Sequence, residues 1–172
     1  MTLNPLHILL RPGGRLGRGS FLLGVALVVA LSALAGMVMR ALDPATAGGF
    51  WWGLGYFLLF WVMVFSVYGQ RLHDMGRTVW PLWGVLLLVF LVLVGVMLAY
   101  GGAEYFTAFS QYEYESTIDP AVVEGLQADY RRELERAGPT LNVTLSALMG
   151  AFTLWLAISP GEQRENRWGE PV

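Results

Sequence analysis

The chain contains no cysteine. It therefore has no disulfide framework, no thiolate metal site and no thiol nucleophile. It contains no lysine either, so all 11 of its Lys/Arg-type cations are arginines. A guanidinium stays protonated and forks onto carboxylates, phosphates or carbonyls, which a lysine ammonium does less well. Charge of either sign is scarce, at 14% of residues, where an average soluble domain has roughly 25%. Most of that charge falls in four places: residues 11–18, 71–77, 104–136 and 162–170. Long stretches between them carry none, which a soluble fold rarely tolerates. The net charge of −2 carries no basic excess to attract a nucleic acid.

What fills those stretches is apolar. A bilayer core needs about 20 mainly apolar residues in helix. Four segments meet that length: Phe21 to Met39, Phe50 to Val67, Trp80 to Leu98 and Leu141 to Ile158. None of them contains Asp, Glu, Lys, Arg or His, which argues against an ion or proton pathway through one copy of the chain. They are too long for strands and lack alternation. Ala33-Leu34-Ala35 resembles a signal-peptide cleavage site, but the apolar run is long for a signal core and is read as a span. The fourth segment carries Asn142, Thr144, Ser146 and Thr153, and is expected to pack inside the bundle. Trp51, Trp52, Trp80 and Trp83 stand near predicted helix ends, where an indole stays half wet. Small residues recur four apart at Ala26/Ala30, Ser32/Gly36, Ser146/Gly150 and Ala147/Ala151, a spacing that permits close helix contact. The fold class expected is all-α: a polytopic membrane protein, with four spanning helices in one bundle and one domain over residues 1–172.

Arginine placement sets the expected orientation. Arg11, Arg15, Arg18, Arg71, Arg77, Arg164 and Arg167 fall on one side of the four spans. By the positive-inside rule both termini face the cytoplasm. Residues 99–140 then lie outside, with eight acids against Arg131, Arg132 and Arg136. Their second half reads as a helix with Asp119 as N-cap, Pro120 at its first position and Gly138-Pro139 as its close. Val122, Val123, Leu126, Tyr130 and Leu134 form one apolar stripe on it. That stripe packs on the bundle, lies at the interface, or docks a protein partner.

Three polar clusters converge on the cytoplasmic face. The first is Gly13-Gly14-Arg15-Leu16-Gly17-Arg18-Gly19-Ser20-Phe21, in which the two arginines would share a face if helical. It reads as a topology signal touching anionic lipid headgroups, or as an anion site. The second, in the loop after the second span, is Gln70-Arg71-Leu72-His73-Asp74-Met75-Gly76-Arg77. His73 and Asp74 are neighbours in sequence, but adjacent residues on a helix diverge by about 100° and need not touch. Asp74 is expected in a structural charge network with Arg15, Arg18, Arg71 or Arg167. The third is the tail Pro160-Gly161-Glu162-Gln163-Arg164-Glu165-Asn166-Arg167-Trp168-Gly169, with Trp168 suited to anchoring at the interface.

Together these clusters resemble a family of bacterial inner-membrane proteins, domain of unknown function 805, the YhaH-like proteins. The family's Gly-Arg-x-x-Arg is matched by Gly14, Arg15 and Arg18. Its Arg-Leu-His-Asp-x-Gly is matched by Arg71, Leu72, His73, Asp74 and Gly76. Its Glu-Asn-Arg-Phe-Gly is matched by Glu165, Asn166, Arg167 and Gly169, with Trp168 in place of Phe. Departures are Thr78-Val79-Trp80-Pro81 where the family has Ser-Gly-Trp-Trp, Leu22 where an aromatic is common, and the exterior insertion of residues 99–140. The resemblance implies a polytopic inner-membrane protein and implies no activity.

The functional expectation is a non-enzymatic membrane protein. Its polar cluster of Arg15, Arg18, Arg71, His73, Asp74, Arg77, Asn166 and Arg167 binds an anionic lipid headgroup or a protein partner. No catalytic residue, metal or cofactor is assigned. The alternative is an interfacial lipid-modifying enzyme or small transporter component using His73 and Asp74. The exterior loop offers a surface to a protein partner, and four short helices leave self-association open.

Overall fold

A computed structural model describes residues 4–42, 46–110 and 119–172. The described residues are helical and contain no strand; one isolated bridge joins Asn166 and Gly169. The helices are α1 (Pro5–Leu10), α2 (Arg18–Ala41), α3 (Ala47–Asp74), α4 (Trp80–Met97), a π-helical turn (Leu98–Gly102), α5 (Ala103–Ser110) and α6 (Pro120–Ile158). Four helical stretches are long and apolar enough to cross a membrane: Arg18–Ala41, Ala47–Asp74, Trp80–Tyr100 and Ala121–Ile158. At 1.5 Å rise per residue the 24 residues of α2 reach about 36 Å, beyond the ~30 Å of a hydrocarbon core. Their outward residues, among them Leu34, Phe57, Leu87 and Phe90, are large, apolar and exposed, as lipid solvation requires.

Two compact units divide the chain. One comprises residues 1–82 and 153–172, the other 83–152. In the first, α2 packs on α3 through the stripe Phe21, Gly24, Val28 and Ala35, spaced at helical period. Phe21 meets Tyr68 edge to face at 5.4 Å, and the Tyr68 hydroxyl bonds the Thr153 hydroxyl at 2.8 Å. Gly24 sets the approach: a Cβ there would stand 2.9 Å from Ile8 Cγ2 and 3.0 Å from Val67 Cγ1. Gly36, in one of the expected small-residue pairs, has nothing within 4 Å of such a Cβ, and neither has Gly150. Close packing is therefore decided by which face of the helix a glycine occupies. In the second unit, Tyr130 of α6 stacks on Tyr105 of α5 at 4.9 Å. Val123, Leu126, Tyr130 and Leu134 are half-buried along that side, and Val122 is exposed.

Three expectations are corrected, and one condition, a helix through Arg15 and Arg18, is not met. The Arg71–Asp74 segment is the last turn of α3 and not a loop. A Schellman close follows it: Arg77 N donates to Leu72 O (2.9 Å), Gly76 N to His73 O (3.1 Å), and Gly76 takes φ +70°. Residues 11–17 are not helical and α2 begins at Arg18, so Arg15 and Arg18 share no helix face. Asp119 does cap α6 through Ala121 N (3.0 Å), but Gly138-Pro139 does not close that helix. The helix runs 39 residues with Pro139 inside it. Proline frees the carbonyl four residues back, and here that residue, Glu135, is exposed, so water can take the bond. Finally, Asn142, Thr144 and Ser146 are exposed rather than packed inside. Thr144 satisfies its hydroxyl on its own helix, at Thr140 O (2.8 Å). Tyr112, Tyr114, Glu113 and Glu115 of the exterior insertion lie outside the described residues.

The glycine contrast is testable. Gly24→Val should lower the thermal midpoint of the detergent-solubilised protein, at a cost of about 1–3 kcal/mol from overpacking against Val67. Gly36→Ala should leave the midpoint unchanged or slightly raised.

Candidate functional site

A helix ends with four carbonyls that have no partner within it, and their dipoles leave partial negative charge there. Two such ends, those of α3 and α6, lie in the first unit, and two buried arginines answer them. Arg71 is 0% exposed. Its Nε donates to Leu156 O (2.9 Å) in the last turn of α6, and its Nη2 to Ser159 O just past it. Its Nη1 donates to Leu16 O (3.3 Å) and to the Asp74 carboxylate one turn along α3. Arg15 comes from the chain before α2. Its Nε donates to Asp74 Oδ1 (3.2 Å), and its Nη1 to Arg164 O (2.8 Å) and Gly169 O (3.1 Å). Its Nη2 reaches Asp74 O (3.4 Å) and Glu162 O. All five N–H groups of Arg15 are spent on the protein itself.

Asp74 is thus one carboxylate shared by two buried guanidiniums. Each burial would be costly alone, and the pair is tolerable because remaining donors find carbonyls. Asp74 O also accepts from Glu162 N (2.7 Å), tying the segment after α6 to the end of α3. Gly161 lies so close that a Cβ there would run into the Asp74 carboxylate.

The tail closes over this clasp. Asn166 and Gly169 exchange backbone bonds (3.2 and 3.0 Å), and Trp168 N donates to Asn166 Oδ1 (3.0 Å), which tightens the turn. Gly169 takes φ +129°, a conformation a side chain would resist. Asn166 Nδ2 donates to His73 O (3.1 Å) and Glu162 Oε2 (2.9 Å). Trp168 stacks on His73 at 4.4 Å with ring planes 10° apart, so it seals the clasp and is not a free interfacial anchor. The Nδ1 atom of His73 lies 3.3 Å from Gly14 O, and since a carbonyl only accepts, that nitrogen carries the proton.

The eight singled-out residues therefore separate. Arg15, Arg71, His73, Asp74 and Asn166 come together. Arg18 is exposed and donates Nε to Ser159 O (3.0 Å) at the edge of the clasp. Arg77 lies 5.2 Å over the Trp155 ring, and Arg167 lies 4.0 Å over Trp168; both are exposed. Of the four arginines considered for Asp74, Arg15 and Arg71 pair with it. His73 and Asp74 make no bond to each other: the ring turns to Gly14 and the carboxylate to the arginines. Sequence reasoning named Gln70 in the second cluster but missed its role: its Nε2 donates to Ile8 O (3.1 Å) and Arg11 O (2.6 Å). It also missed the role of Gly161. A polar residue one step before an arginine in an otherwise apolar helix is the signal that could have flagged Gln70.

A cavity of about 470 Å³ opens beside the clasp, lined by Gly17, Arg18, Arg71, Asp74, Glu162 and Gln163 among others. The Nη groups of Arg18 have no acceptor among the described residues.

A model of the family described as protein of unknown function, DUF805, matches residues 9–170, nearly the whole chain. No curated protein and no solved structure matches it.

Asp74→Asn would leave two guanidiniums buried without a counter-charge. The expected cost is about 3–5 kcal/mol, seen as loss of a monodisperse, folded peak in mild detergent. Asp129→Asn, which breaks the exposed pair with Arg132 on α6, should leave that peak unchanged.

Proposed function

We propose, for a chain that belongs to the DUF805 family of proteins of unknown function, that it serves as a non-catalytic membrane protein whose arginine-rich face holds anionic lipid headgroups. In this reading it resides in a bacterial inner membrane with both termini in the cytoplasm. The carrying observation is the division among the arginines. Arg15 and Arg71 are consumed in the clasp, while Arg11, Arg18, Arg77, Arg164 and Arg167 remain exposed in the same unit. Basic residues at an anionic membrane surface gain about 1 kcal/mol each. The exposed acids there are Glu162, Glu165 and Glu170, so the exposed rim keeps a positive excess. Asp74 lines the cavity beside Arg18, but its charge is already met by two guanidiniums. A headgroup phosphate at Arg18 would find free guanidinium donors, and the first-turn N–H groups of α2 favour the same charge. The clasp itself supplies rigidity, holding α2, α3 and α6 so that the rim arginines keep their spacing.

The catalytic alternative draws less support. A direct His73–Asp74 dyad would need the two to share a hydrogen bond, whereas each is held by other groups.

Two outcomes check this reading. Purified from its native membrane, the variant carrying Arg18→Gln, Arg77→Gln and Arg167→Gln should retain clearly less phosphatidylglycerol and cardiolipin by lipid mass spectrometry. Arg40→Gln, at the other end of α2, should retain the wild-type amount; equal retention by the triple variant defeats the proposal. For topology, a single cysteine at Gln163 should react with a membrane-impermeant maleimide only after lysis, and one at Gln127 in intact cells. The opposite pattern would invert the assigned orientation.

A further inference from the structure

The short helix α1 was not expected from the sequence, and its place invites a question about what covers it. Ile8 and Leu9 are buried against α2 and α3, while Leu6 and Leu10, one turn apart, are 63% and 44% exposed. Its height is set by contact. Ile8 Cγ2 and Val67 Cγ1 both crowd the position a Cβ would take on Gly24. Gly24 lies three residues past Phe21, the first apolar residue of the α2 span, which is about 4.5 Å of helix. Val67 is the last residue of the apolar run of α3. The helix therefore sits level with the ends of the apolar runs of α2 and α3. Its neighbours Leu22 and Leu23 on α2 are exposed and apolar at that same depth.

Backbone at that depth must have its polar groups satisfied within the protein. The N-terminus of α1 meets that demand, and its C-terminal end meets it at Ile8 O and Arg11 O. Pro5 has no N–H, Leu6 N is taken by Asn4 Oδ1 (3.0 Å), and His7 N and Ile8 N by Asn4 O (3.0 and 3.3 Å). At the other end the buried amide of Gln70 takes Ile8 O and Arg11 O.

We infer that α1 is an interfacial helix whose Leu6 and Leu10 insert into the acyl boundary of the leaflet on the clasp side, continuing the lipid-facing surface of α2. The occupant of this face is lipid, in the geometry of amphipathic segments lying 5–10 Å into that boundary. The inference stands on α1 and does not depend on arginine–headgroup binding.

The absence of cysteine makes the test direct. Leu6→Cys and Leu10→Cys would each carry a nitroxide in the full chain, reconstituted in phosphatidylethanolamine–phosphatidylglycerol vesicles. Leu23→Cys and Gln163→Cys give the lipid-facing and water-facing references. Oxygen collision at positions 6 and 10 should approach that at 23, and collision with a water-soluble nickel chelate should be several-fold below that at 163. Nickel collision equal to that at 163 would mean that α1 faces water. Low collision with both reagents would mean that protein covers it, a second copy or a partner. Either result overturns the inference. Because Leu6 and Leu10 are exposed, the labels disturb no packing, and wild-type elution in detergent verifies each variant.

Discussion

A helix that stops at a lipid–water boundary has a problem at its C-terminus: carbonyls without partners, and a dipole that leaves them negative. Two helices stopping side by side double the problem. Here the end of α6 is answered by Arg71, which is planar and can send N–H groups to Leu156 O, Ser159 O and Leu16 O at once, while Asp74 O at the end of α3 accepts from Arg15 and Glu162 N. A lysine, with three donors on one atom, could not span that set. Once Arg71 is buried, a counter-charge is needed within reach, and Asp74 provides it from the same helix. Asp74 in turn has a second oxygen to satisfy, and Arg15 takes it. Each choice forces the next, which is why three distant stretches of chain meet at one point.

The spacing of the three motifs follows from this chain of requirements. Arg15 must come from outside the helices, because it has to reach Glu162 O, Arg164 O and Gly169 O in the tail. The tail must turn tightly to present those carbonyls, which is the task of Asn166 and Gly169. His73 points away from the charge pair and gives Trp168 a flat surface to cover. An aromatic of either common kind at 168 would serve that stacking, so Trp in place of Phe preserves the arrangement. Gly161 must lack a side chain because Asp74 occupies the space.

Much of this was legible in the sequence, and the reasons are uneven. The four spans announced themselves through length and absence of charge, since lipid imposes both. That the polar clusters share one end followed from counting spans. The division between Arg15 and Arg18 did not follow, because it depends on α2 beginning at Arg18 and leaving Arg15 in extended chain. Helix α1 was illegible for a different reason. Six residues are too few for a periodic signal, and what stabilises it, the packing of Ile8 and Leu9 and the amide of Gln70, lies far off in sequence. Pro139 misled through local propensity: it ordinarily ends a helix, and the exposed position let α6 run through it.

The same bookkeeping of donors separates structure from function at the arginine-rich face. A guanidinium whose N–H groups are all engaged cannot bind a ligand without first releasing a carbonyl or carboxylate, and in a buried site that release leaves an orphaned polar group. Arg15 is in that position with five bonds, and Arg71 nearly so with four. Arg18, with one bond through Nε, can bind at no such cost. Adjacent arginines in one short motif thus hold opposite roles. The buried one fixes where the helices end. The exposed one, held at its Nε by the same carbonyl of Ser159 that Arg71 uses, is aimed by that fixed frame. Free guanidinium donors on this face therefore lie at the rim, in front of a clasp whose own donors are engaged.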